Sequence, residues 1–64
     1  MLFVKVCERN TETDFLINIE QITTIDVDGC NVWLADSDAY LTLDATSMDK
    51  VLNILKTVGA MIDN

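Results

Sequence analysis

The hydrophobic pattern of this chain changes period once, and that single change limits its architecture. Up to Leu43, apolar residues come in short alternating runs separated by polar turns. From Val51 onward they recur at helical spacing: Val51, Ile54, Leu55, Val58, Met61 and Ile62. Short strands followed by one helix predict an α+β fold: an antiparallel sheet of four to five short strands in meander or hairpin order, with a C-terminal amphipathic helix packed on one face.

The runs place the elements. Strands are expected over about 2–7, 14–18, 22–28, 31–35 and 39–43, and a helix over about 47–61, in one domain covering 1–64. In the first strand Leu2, Val4 and Val6 share one face, and Phe3, Lys5 and Cys7 the other. Ile19, Ile22 and Ile25 recur every three residues, which suits a turn of 3₁₀ helix or a bent crossing between sheet segments. Asp28-Gly29 lies between two β-like runs and predicts a tight hairpin. Thr46-Ser47-Met48-Asp49 has capping-box spacing, with Thr46 or Ser47 as N-cap. Gly59 is expected to weaken the last helical turn or to allow close packing. The expected inward set is Leu2, Val4, Val6, Ile25, Val27, Val32, Leu34, Leu41, Leu43 and the helix stripe.

Size makes the apolar content informative. A chain of 64 residues has room for one core, yet half of its residues are hydrophobic. Either the core is unusually efficient or some apolar surface is meant for another chain. Trp33 falls on the sheet face opposite the inward set, and Phe3, Cys7, Ala35 and Tyr40 are expected beside it as an interface patch. The competing expectation is that the sheet curls and Trp33 closes a small barrel core; a register error of one residue exchanges the two faces.

Charge and composition exclude several classes. Eleven acids against four bases give a net charge of −7, which disfavours DNA, RNA and anionic membranes as partners. The chain has no His, so the usual neutral-pH base and the commonest metal ligand are missing. Gly29 and Gly59 are its only glycines, which rules out a phosphate-cradling glycine-rich loop. Ser37 and Ser47 have no activating base in sequence. We therefore expect a protein that is not an enzyme, with no catalytic residue, cofactor or metal. Asp26, Asp28, Asp36 and Asp38 sit in neighbouring turns and are a possible acidic contact; grouped Ca²⁺ ligands are the alternative, and ordinary turn chemistry accounts for them. Cys7 and Cys30 read as small buried hydrophobes with reduced thiols, with a disulfide or a reactive thiol as the alternatives. With no signal-peptide pattern and no apolar run of spanning length, a cytoplasmic location is expected.

Three stretches carry a resemblance. Phe15-Leu16-Ile17-Asn18, Ile22-Thr23-Thr24-Ile25 and Ser47-Met48-Asp49-Lys50-Val51 resemble the pattern of the FlbD family of small flagellar-operon proteins. Ile22, Ile25, Gly29 and Val32 are also similar in spacing to the first part of LytTR-type DNA-binding domains, whose basic second part this chain lacks. The resemblance implies the architecture and carries no functional residue across.

The functional expectation is a small acidic interaction module that self-associates as a homodimer or higher oligomer. It would bind a protein partner with a basic surface, as a regulatory, inhibitor or adaptor protein of bacterial or phage type. One alternative is an oligomer that binds a nucleotide-like ligand in a pocket between subunits, with Lys5 beside Trp33. Another is a DNA mimic that inhibits a nucleic-acid-binding protein.

Overall fold

The structure is a computed structural model that describes residues 2–62. In chain order the elements are β1 (Phe3–Cys7), β2 (Asp14–Asn18), a 3₁₀ turn (Ile19–Gln21), β3 (Ile22–Asp26), β4 (Asn31–Leu34), β5 (Tyr40–Thr42) and α1 (Ala45–Thr57). The chain is α+β, as its periodicity predicts. The strands form two antiparallel sheets, β1–β2 and β3–β4–β5, where one sheet of four to five strands was expected. Between the sheets the ladder shrinks to a single bridge, Glu8 to Leu43. It is flanked by Arg9 N–H donating to Thr42 O at 2.7 Å and Asp44 N–H donating to Cys7 O at 3.1 Å.

The split has a local cause. The chain must turn back just after β1, and the Glu8 carboxylate builds that turn by accepting the N–H groups of Asn10 and Thr11, both at 2.9 Å. Glu12 completes it in the left-handed region at φ 57°. Past Arg9 the chain has turned away from β5, and in the other direction the register of the bridge sets β1 against the start of α1, so the ladder stops at this one bridge.

The threefold isoleucine spacing has two parts. Asn18 accepts the Glu20 N–H and starts the 3₁₀ turn, which holds the buried Ile19. In β3, Ile22 pairs with Leu34 while Thr24 pairs with Trp33, so Thr23 is an extra, bulged residue. The bulge shifts the alternation by one and turns both Ile22 and Ile25 toward the core.

The β3–β4 hairpin differs from the tight Asp-Gly turn that was expected. Asp26 pairs with Asn31, which leaves a four-residue loop, Val27 to Cys30. Cys30, and not the glycine, takes the left-handed conformation at φ 59°. Gly29 is needed for space: its N–H donates to Asp26 Oδ1, and a Cβ there would lie 2.5 Å from Asp26 Oδ2. Val27, expected to point inward, sits in this loop and is 56% exposed.

The core lies between the two sheets and the helix. The β1–β2 ribbon contributes Val4, Val6 and Ile17, the other sheet side Val32 and Leu43, and α1 Met48 and Val51. Leu2, expected inward, is exposed at the start of the chain.

Helix α1 starts and stops earlier than its apolar stripe suggests. Asp44, not Thr46 or Ser47, is the N-cap, with its side chain accepting the Ser47 N–H at 2.8 Å. At the other end Gly59 lies at φ 72°, with Gly59 N–H donating to Lys56 O and Ala60 N–H to Leu55 O. That double closure is a Schellman motif, so Gly59 ends the helix rather than weakening it. Val58 and Ile62 thus lie beyond the helix and are exposed, contrary to the expected stripe.

Freed from capping, Ser47 is buried, and its hydroxyl accepts the Cys7 N–H at 2.8 Å. Three residues on, Lys50 Nζ donates to Lys5 O at 2.9 Å. The first turns of α1 thereby cover the edge of β1 that β2 leaves free, and strand edges left open are association-prone.

Candidate interaction surface

The outward face of β3–β4–β5 is built from two cross-strand rows. In one, Asp26, Asn31 and Thr42 lie side by side; Thr42 Oγ1 donates to Asn31 Oδ1 at 2.6 Å and Asn31 Nδ2 to Asp26 Oδ2 at 3.2 Å. In the other, Trp33 lies between Thr24 and Tyr40. The Trp33 and Tyr40 rings pack at a centroid distance of 5.0 Å with planes 40° apart. Such a tilted pair is a favourable aromatic contact. Trp33 is half-buried against its neighbours on this outer face, so it does not close a barrel core.

From Tyr40 the apolar surface continues into a groove of about 360 Å³ between the two sheets. Phe3, Phe15, Leu16, Leu34, Tyr40 and Leu41 line it, with Asp36 at its rim. Phe3 is 53% exposed, Tyr40 52% and Leu16 70%. Large apolar side chains this open, and this close together, are unusual for a solvent-facing surface.

The expected interface residues are partly gathered. Trp33 and Tyr40 are in contact, and Tyr40 and Phe3 share the groove. Ala35 is exposed in the turn after β4. Cys7 is elsewhere, beside the start of α1. Burial first, and then the negative charges of Asp44 and Asp14, push its thiol pKa up, which disfavours the thiolate. Both cysteines are free thiols in the structure. Of the acids, Asp26 belongs to the polar row and Asp28 to the β3–β4 loop, while Asp36 and Asp38 lie in the β4–β5 turn. Among the described residues no three acidic or cysteine side chains come together as a metal site. Nor is any helix among them long and apolar enough to cross a membrane.

No protein-family model, curated protein or solved structure matches this chain.

Two groove residues, Phe15 and Leu16, were missing from the expected interface. Asp14-Phe15-Leu16-Ile17-Asn18 places three large apolar residues in succession in a five-residue strand. Alternation sends neighbours to opposite faces, so Leu16 must point away from the core that takes Ile17. That signal was readable in the sequence.

Proposed function

We propose that this protein is a non-enzymatic, self-associating interaction module that binds a partner protein through the Trp33–Tyr40 surface. The observation behind this reading is the exposed aromatic and aliphatic surface on a chain whose core is already filled by other residues. Aromatic anchors with a surrounding polar rim are the usual composition of a binding hot spot. Asp26 lies on the same sheet face, and Asp36 and Asp38 follow in the adjoining turn, on a chain of net charge −7. Charge complementarity therefore selects a partner segment that carries Lys or Arg beside apolar side chains. The acidic rim supports a basic protein surface as the partner's side of this contact.

Trp33 is the chain's only tryptophan and reports directly on this surface. A set of synthetic peptides combining Lys or Arg with aliphatic residues should change its emission on binding, and raising the salt concentration should weaken that binding. Trp33→Ala, followed by anisotropy of labelled peptide, should abolish it while the fold is retained. Peptide binding that is indifferent to Trp33 and Tyr40 substitution would refute this placement of the surface.

A further inference from the structure

We infer that two copies of this chain associate by pairing their β2 strands edge to edge, antiparallel, with Leu16 at the two-fold axis. The inference rests on the self-associating part of the proposed function and assigns it to the β2 edge, beside the groove that runs on from the Trp33–Tyr40 contact.

The orientation of β2 follows from the bonds of β1. Along an antiparallel strand, backbone N–H and C=O groups point alternately to either side. Lys5 O and Cys7 N–H are directed at Lys50 and Ser47 of α1. Val4 and Val6 therefore face β2, where they meet Ile17 and Phe15. Leu2 O accepting the Ile19 N–H at 2.8 Å has the same phase. The backbone groups of Asp14, Leu16 and Asn18 consequently point away from β1, along an edge that no other strand among the described residues covers.

The other edges are blunted. β1 is covered by the start of α1, β5 is met by the Arg9 N–H, and β3 carries the Thr23 bulge. β2 has no bulge, proline or lysine, and its one charged residue, Asp14, stands at its end. It presents Leu16, the most exposed of the large apolar side chains on the strands.

The strand is also complementary to itself. Centring the antiparallel pair on Leu16 sets Leu16 against the partner's Leu16 and Asp14 against the partner's Asn18, so no two carboxylates oppose each other. On the inward side the same register places Ile17 against the partner's Phe15. Val4 and Ile17 then continue into the partner's Phe15 and Val6 as one apolar row across four strands. A two-fold pairing of this kind satisfies both edges at once and closes on itself.

Sedimentation of the full chain, with circular dichroism to verify folding, tests this. The wild-type protein should sediment as twice its 7.2 kDa mass, and more completely as salt is added, because each copy carries a net charge of −7. Leu16→Lys and Leu16→Glu should each be folded monomers, and mixing them should restore a dimer, seen as the mixed mass by native mass spectrometry. Leu16→Pro removes an N–H that points outward and should likewise give a monomer. A wild-type monomer throughout the micromolar range overturns the self-association reading and this inference with it. A wild-type dimer that survives all three substitutions overturns the β2 edge alone. A Lys/Glu mixture that stays monomeric also overturns the edge, since opposite charges across the axis should then attract.

Discussion

Replacing Ser47 with Ala separates two physical effects of opposite sign. Ser47 lies in the first turn of α1, where Ala has the better helix propensity by roughly 0.5 kcal/mol. Propensity alone therefore predicts a slightly more stable protein. The structure predicts the reverse, because the buried Ser47 hydroxyl accepts the Cys7 N–H across the junction between α1 and β1. Removing it strands a half-buried backbone donor, at a cost of about 1–3 kcal/mol. The net expectation is a loss of roughly 0.5–2.5 kcal/mol, by these two magnitudes. A single core in a chain this short supplies no more than about 3–5 kcal/mol, so the loss is a large share of the total. For a domain of this size it lowers the melting temperature by roughly 4–8 °C per kcal/mol. Urea and thermal unfolding followed by circular dichroism measure it, with Thr46→Ala as the control, since Thr46 is exposed and should show only a propensity effect within about 0.5 kcal/mol. Amide exchange adds a local readout: the Cys7 N–H should exchange faster in Ser47→Ala, while the Val4 and Val6 amides that ladder to β2 slow or quicken only with global stability. A Ser47→Ala protein as stable as its parent, with unchanged Cys7 exchange, would refute the clamp and return Ser47 to an ordinary helix position.

Other expectations follow from the same geometry. Leu43→Ala should cost about 2–5 kcal/mol in urea unfolding, because Leu43 is fully buried at the bridge that joins the two sheets. Glu12→Gly should stabilise by up to about 1 kcal/mol, since Glu12 is an exposed non-glycine residue at φ 57°. Stability should fall in acid. The Asp44 carboxyl is held below its ordinary pKa by the Ser47 hydroxyl and N–H, and that of Glu8 by Thr11 and Asn10. Their stabilisation is complete above the unfolded-state carboxylate values and disappears as pH falls through the lower folded-state ones. An acid titration of the urea midpoint should show this, and Asp44→Asn with Glu8→Gln should flatten it.

Some of this architecture was legible because it is periodic. The order of strands and helix, the outward placement of Phe3, Trp33 and Tyr40, and the inward placement of Val4, Val6, Val32 and Leu43 all follow from alternation along short runs. Alternation is a property of the local backbone, so it survives without knowledge of any partner strand. Where the local phase is broken, alternation alone no longer places a side chain, as the exposed Val27 shows. The Thr23 bulge and the four-residue loop at Val27 shift the count by residues whose placement depends on what β4 opposes. The stripe from Val58 to Ile62 keeps its spacing in sequence, but the Gly59 closure ends the helix before it.

By itself, then, the sequence determined an acidic α+β chain with more apolar side chains than one small core accommodates. Tertiary structure decided where the excess goes, because that depends on which strand edges are already occupied. The helix covers β1 through Lys50 and through Ser47, a residue that its local spacing offers as a cap. Contacts between residues forty and more positions apart make that assignment. No window along the chain contains them, and they are what leaves β2, with Leu16, as the open edge.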